Sequence, residues 1–439
     1  MLKVFLNIFK VPELRKRFMF TLGVVIVFRI GAQIPVPGIN LVALLQANSN
    51  SAAGSLSDFL NLFTGGAKEN ASIFSLGVMP YITSTIIMQL LTAVVPSFQK
   101  MMKEGPEGKK KFHQYGRIGT VLVTLIQGVI YAQGMVVQST SGANFLAIDP
   151  FAFVIIFTLS VTAGTLVLMW MGEQLTERGL GNGVSLIIMA GIIARLPHAI
   201  FMLFNGIEKG AMDPMNLVII LAMFFIVIGL VVFEEQGLRK IPIQYANRMV
   251  GGVSRAGQIS FLPFKVNPTG VIPIIFASSL LIFPAQLSQW FGGKVDVLNM
   301  ISNAMLPGKL AYSLAYFALI MFFAYFYMEI QLNPHDIAEN LRKSGGFIPG
   351  VRPGQQTEEQ ISFVLTRITL PGSIFLGLIA LLPTFVINSL NVPSNLGYLM
   401  GGTSLLIMVG VSLDTLKQTE SHLLMHHLDG FLTKTKVKK

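Results

Sequence analysis

At 439 residues the chain has the length of about three ordinary soluble domains. Only 12% of it is charged and 52% is apolar, against about 25% charged in a typical soluble domain. Its 32 Lys and Arg and 21 Asp and Glu cannot cover a soluble surface, which leaves a polytopic membrane protein, and the absence of Cys excludes disulfides, iron–sulfur clusters and thiolate zinc sites.

Apolar windows near 20 residues predict ten spanning helices, at 18–34, 73–95, 118–137, 151–171, 184–201, 216–233, 271–288, 310–330, 368–387 and 398–413. The first resembles a signal peptide in having Lys10, Arg15, Lys16 and Arg17 ahead of its apolar run. Arg29 interrupts that run and no A-x-A-like site follows it, so it reads as a retained helix. Between the first two spans, Phe59 to Ser72 is half apolar, too short and too polar to span. Two readings fit it: a re-entrant piece dipping into the membrane, or an amphipathic surface loop, which composition alone favours.

The cations settle the orientation. With Arg195 counted to the loop after the fifth span, the two termini and the loops on their side hold 26 of the 32 Lys and Arg and 14 of the acids. The opposite loops hold five cations and six acids, so one face is net +12 and the other −1. The positive-inside rule puts both termini and the loops near 100–117, 234–269 and 331–367 in the cytoplasm. Loop 234–269 has Ile/Tyr/Val-rich runs around Gly251-Gly252 and predicts a β-ribbon. In loop 331–367, Pro349 to Gly354 predicts a tight turn with Arg352 at its tip.

A short repeat organises the spans. Gly77-Val78-Met79-Pro80-Tyr81-Ile82 and Gly270-Val271-Ile272-Pro273-Ile274-Ile275 both fit GVxPxI, early in the second and seventh spans. These are the second helices of two five-helix halves, and five being odd, the halves lie inverted in the membrane. Glycine and proline inside a span free backbone groups, which is tolerated beside other helices or a wet cavity. The second and seventh spans are therefore expected to face an internal path.

Apart from Arg29 and Glu329 near helix ends, the spans read as charge-free, which counts against an ion-coupled pump. GxxxxGK[ST], HExxH and GxSxG are absent, and His422 and His426 lack a third metal ligand. Gly179 to Gly183 follows no strand and reads as a tight corner. What remains is a weakly polar set: Ser84, Thr85 and Gln89 on the second span, Thr120, Thr124 and Gln127 on the third, Ser278 and Ser279 on the seventh. Gln89 and Gln127 fit interhelical hydrogen bonding, and the whole set fits a seam of modest hydrogen bonds that can part.

Several segments in this order resemble the SecY family of protein-conducting channels. They include VFRIGAQIPVPGI at 27–39, GGAKENASIFSLGVMPYITSTIIMQLL at 65–91, KEGPEGKKKFHQYGR at 103–117 and MWMGEQLTERGLGNGVSLII at 169–188. GVIPIIFASSLLIFPA at 270–285, NLRKSGGFIPGVRPGQQT at 340–357 and GGTSLLIMVG at 401–410 continue it, and the likeness runs from about residue 10 to residue 430.

The resemblance implies an all-α fold of ten transmembrane helices, with two halves closing around an hourglass pore. Carried over by position, Val78, Ile82, Ile188, Ile275 and Ile407 form the pore ring, and Val78 stands where relatives often have Ile. Leu60, Asn61, Leu62, Phe63, Thr64, Gly65, Gly66 and Ala67 fall on the family's plug, which reverses the surface-loop preference. Ser84, Thr85, Gln89, Gln127, Ser278 and Ser279 fall on its lateral gate. Arg239, Lys240, Arg248, Arg255 and Arg352 fall on the surface that docks the SecA motor or the ribosome.

The family further implies SecE and SecG as small membrane partners, and signal sequences, nascent polypeptides and membrane lipids as ligands. It implies a bacterial inner-membrane location, no cofactor and no catalysis. The expected organisation is a cytoplasmic segment 1–17, an N-terminal half 18–201, a connection 202–215, a C-terminal half 216–413 and a basic tail 414–439. The rival from a different class is a secondary transporter of a small solute, which would share inverted repeats but hold charge at mid-membrane. An intramembrane enzyme lacks a nucleophile–base pair.

Overall fold

The computed structural model describes residues 11–49, 61, 63–140, 145–208, 214–245, 248–250, 253–255, 259–290, 296, 300–301, 304–305, 309–389 and 402–436. A helix meets each of the ten expected spans: α1 (Pro12–Gly31), α3 (Met79–Val94), α5 (Pro106–Gln138), α6 (Pro150–Arg178), α7 (Gly183–Glu208), α8 (Pro214–Gln236), α9 (Ile272–Trp290), α10 (Leu310–Gln331), α12 (Gln355–Ser389) and α13 (Gly402–Lys436). The predicted stretch 398–401 lies outside the described residues. Shorter helices α2 (Leu41–Ser49), α4 (Pro96–Lys103) and α11 (Pro334–Lys343) connect them.

Proline sets many of the starts. Pro12, Pro96, Pro106, Pro150 and Pro334 each open a helix, where the missing N–H costs nothing and φ is already helical. Asp149 adds a side-chain cap, accepting from the Phe151 N–H at 3.2 Å. Val95 is extended ahead of Pro96, and there the chain turns by 103° from α3 into α4.

Six of the described helices are long and apolar enough to cross a membrane, and the bent pair α3–α4 makes a seventh. Ile272–Leu281 is a shorter apolar helix. Large apolar side chains such as Leu159, Phe225 and Leu314 stand on the outside, as lipid-facing residues do. Helices α3, α5, α6 and α7 pack as consecutive neighbours, and so do α9, α10 and α12. These groups meet on two sides, through α7 against α13 and through α9 against α3 and α5.

Several helices outrun their predicted spans. α12 starts at Gln355 rather than near 368, α5 starts at Pro106 rather than 118, and α13 runs on to Lys436. α7 reaches Glu208, and Arg195 corrects the charge-free interior: it falls within the predicted span 184–201 itself and lies well inside this helix. Its charge is met by Glu69, with Nη2 2.9 Å from Oε2.

The repeat also needs correcting. Gly77 and Gly270 do not break spanning helices; both precede them, with φ of +57° and +61°. Pro80 and Pro273 occupy first turns, where proline frees no carbonyl partner.

The ribbon expected in loop 234–269 is present. β1 (Leu238–Tyr245) pairs antiparallel with β4 (Ile259–Lys265), Ile241 opposite Leu262, and β2 (Arg248–Val250) pairs with β3 (Val253–Arg255). A two-residue strand from the other loop, β5 (Gly346–Phe347), adds to β1 at Gln244 and Tyr245, giving the order β4-β1-β5. The platform has its own apolar core, with Ile241, Ile243 and Phe264 against Leu341, Ile348, Ile361 and Leu365.

Candidate functional site

All five residues of the expected ring are described and buried: Val78 and Ile82 from the start of α3, Ile188 from α7, Ile275 from α9 and Ile407 from α13. They belong to one apolar cluster, which also contains Phe63 and Ala67 of the expected plug. Ile82 and Ile275 occupy matching slots, each five residues after a left-handed glycine.

Above this cluster opens a cavity of about 820 Å³, lined by residues of α3, α5, α6, α7, α9 and α10. Ile82, Ile188 and Ile275 line it on the apolar side. Lys110, His113, Arg117, Glu173 and Glu177 line it on the side of the cation-rich loops. Arg117 and Glu173 form a two-pronged ion pair, with Nε to Oε1 at 2.9 Å and Nη2 to Oε2 at 2.8 Å. Sequence reasoning passed over this pair. The signal was opposite charge at the facing ends of consecutive spans, on the side of the cation-rich loops. The arrangement is a funnel with a charged mouth that narrows to flexible aliphatic side chains. Aliphatic side chains at a constriction repel water, and with it ions, by dewetting.

The weakly polar seam is built differently from the sequence reading. Thr85 donates to the Tyr81 carbonyl at 2.8 Å, and Ser278 and Ser279 donate to the Ile275 carbonyl at 2.9 and 2.8 Å. These hydroxyls satisfy themselves on their own helices. Ser84 does cross between helices, donating to the Gly116 carbonyl of α5 at 2.8 Å, yet α3 and α5 are neighbours on the same side of the seam. Gly119 makes room for it, since a Cβ there would stand 2.5 Å from Ser84 Oγ. Thr120 and Thr124 are buried and bond back along α5. Gln127 is buried on α5, and Gln89 lines the cavity with a buried Oε1 that has no hydrogen-bond partner among the described residues. In place of the expected row of hydrogen bonds across the seam, Thr85, Ser278 and Ser279 each turn to a carbonyl one turn back on their own helix.

Leu60 and Leu62 lie outside the described residues. The rest of the expected plug is not a surface loop: Asn61, Phe63, Thr64, Gly65 and Ala67 are buried and Gly66 is half-buried. Asn61 Oδ1 accepts from the Glu69 N–H at 3.0 Å and closes the segment on itself. Arg29, at the last turn of α1, donates from Nη1 to the Gly65 carbonyl at 2.9 Å. Tyr131 donates its hydroxyl to the Lys68 carbonyl at 3.0 Å.

On the strand platform Arg239 and Lys240 are exposed on β1, and Arg248 stands opposite Arg255 in the β2–β3 register. Arg352 is exposed in a turn flanked by Gly350 and Gly354, both left-handed, and its carbonyl accepts from Thr357 Oγ1 at 2.9 Å. β5 brings the loop of Arg352 onto the strand that carries Arg239 and Lys240. A polar hub fixes the base of this platform. Lys265 meets Asp414 at 3.3 Å, and Lys417 donates to the Glu235 carbonyl at 2.7 Å. Asn267 Nδ2 donates to the Gly270 carbonyl at 3.1 Å. The hub joins α8, β4 and α13, and the sequence offered no sign of it because its members come from segments far apart in the chain.

A family model described as SecY matches residues 72–416. A protein translocase subunit SecY of Streptomyces scabiei is 43% identical, over 98% of this chain and 100% of its own. Among solved structures, a protein conducting channel superposes with a TM-score of 0.65 at 19% identity, covering 94% of this chain and 96% of its own. Sec61 in a canine ribosome–channel complex superposes with a TM-score of 0.60, also at 19% identity, covering 94% and 96%. At that identity the structures bear on the fold, and the fold is shared.

Proposed function

The chain belongs to the SecY family, and from that premise we propose that it is the channel-forming subunit of a protein translocase. It conducts unfolded polypeptide across the membrane and releases hydrophobic segments sideways into lipid. The observation that carries this reading is the funnel: an 820 Å³ cavity open toward the cation-rich face, floored by Ile82, Ile188 and Ile275. Aliphatic side chains yield to any peptide without sequence preference, while a solute transporter needs fixed polar ligands at that depth.

The channel is passive in this reading. A motor such as SecA, or a ribosome, supplies the push through the platform of Arg239, Lys240, Arg248, Arg255 and Arg352. The cations there suit RNA phosphates or acidic protein surfaces. SecE and SecG complete the complex, and the termini lie in the cytoplasm of a bacterium, its inner membrane holding the chain. Residues 18–201 and 216–413 act as the two halves, parting along α3 and α9 to form the lateral gate. Residues 60–72 act as the plug. The apolar character of the α3–α9 contact supports a gate that opens toward lipid at modest cost.

Photo-cross-linking tests the reading. A photoreactive amino acid at Ile82 or at Ile275 should capture a nascent chain during transport, and one at lipid-facing Phe225 should not. Capture that is equal at all three positions, or saturable uptake of a small solute by liposomes holding the purified chain, would remove it.

A further inference from the structure

We propose that Arg29, Glu69 and Arg195 are positioning residues that fasten the plug segment to α1 and α7, an inference that rests on reading residues 60–72 as a plug. Three observations converge on it. The Arg29 guanidinium grips the Gly65 carbonyl at 2.9 Å, and Arg195 grips the Glu69 carboxylate at 2.9 Å. Between these two grips the segment rests directly on α7: Gly65 has φ +64°, and a Cβ there would meet Gly191 Cα at 2.8 Å. Gly191 is one helical turn from Arg195, so contact and ion pair share one face of α7. Every partner in this set stands on α1 or α7, with Tyr131 of α5 and Gln33 just past α1 adding bonds to Lys68 and Asn70.

The charges make the fastening reversible. Arg29 meets only a backbone carbonyl, while the Arg195–Glu69 ion pair is partly open to water, with side-chain exposures of 20% and 40%. A fully buried pair would lock the segment, because separating it would strand a charge away from water. A half-exposed pair separates into solvent at small cost. A plug that must leave the ring and return needs a grip of that strength, and the grip places it with the N-terminal half when the halves part.

Single-channel recording of the full chain in planar bilayers tests this. The variants are Glu69→Gln, Arg195→Gln, the exchanged pair Glu69→Arg with Arg195→Glu, and a deletion of residues 63–69. Each single variant should raise the resting open fraction about two- to fivefold at about 0.15 M salt. The exchanged pair should restore it, and at about 1 M salt the single variants should converge on the parent as screening removes the pair. A deletion that seals as tightly as the parent would overturn the plug reading and the fastening with it. A leaky deletion alongside single variants with the parent's open fraction, or an exchanged pair no better than the singles, would overturn the fastening alone.

Discussion

Gly77 and Gly270 hold the same backbone conformation, φ +57° and +61°, and two residues after each a helix begins, at Met79 and at Ile272. The equivalence is one of geometry, and their surroundings differ. A Cβ at Gly77 would meet Thr64 Cγ2 at 3.1 Å, while at Gly270 the nearest atom is Asp414 Oδ2 at 3.7 Å.

Alanine at either glycine should therefore cost about 1–2 kcal/mol for the left-handed backbone. Gly77→Ala should cost more than Gly270→Ala, because it also presses on the plug segment. Thermal unfolding of the purified variants checks this: both midpoints should fall, and a larger fall for Gly270→Ala would contradict the account.

The apolar cluster of Ile82 and Ile275 predicts its own failure. Ile82→Gly combined with Ile275→Gly removes two side chains that are 5% and 4% exposed. The resting channel should then pass ions, since a wider and less apolar constriction stays wet. Steady current across a planar bilayer is the measurement, and unchanged conductance would retire the ring.

Arg352→Glu should leave the fold alone, because the side chain is exposed and the turn is held by its backbone carbonyl. An unfolding midpoint close to the parent's is expected. Motor-driven translocation in proteoliposomes should fall by about tenfold or more, as charge reversal at a docking contact does. Normal transport would free Arg352 of that role.

His335 is bonded to Glu358, Nδ1 to Oε2 at 2.9 Å, and this bond ties the first turn of α11 to α12. The hydrogen bond and charge of Glu358 raise the imidazole pKa above its ordinary value. A raised folded-state pKa stabilises the tie fully below the unfolded value near pH ~6.5, and the gain is lost as pH rises through the folded value. An NMR titration of labelled histidine should show the upward shift, and Glu358→Gln should abolish it. A titration unmoved by that substitution would break the assignment.

The helices were legible in the sequence for a physical reason: lipid demands long apolar runs. The repeat was legible because glycine adopts the left-handed conformation at least cost, and both copies hold one there. What stayed hidden depended on contact across the chain. Arg195 lies among apolar residues, and only its partner Glu69 explains its place in a helix. The seam hydroxyls read as cross-helix bonds, but a backbone carbonyl one turn back claims most of them. Strand β5 is two residues long and carries no pattern that sequence could show.

That small strand has a mechanical consequence. It joins the two long loops into one sheet, so a load on either tip reaches both. α12 leaves that platform and runs for 35 residues with Pro371 and Pro383 inside it, about 50 Å at 1.5 Å per residue, further than the ~30 Å hydrocarbon layer is thick. Each internal proline removes one backbone hydrogen bond and bends the helix, so a load taken up at the platform would enter the spanning turns through two points of give rather than along a rigid rod.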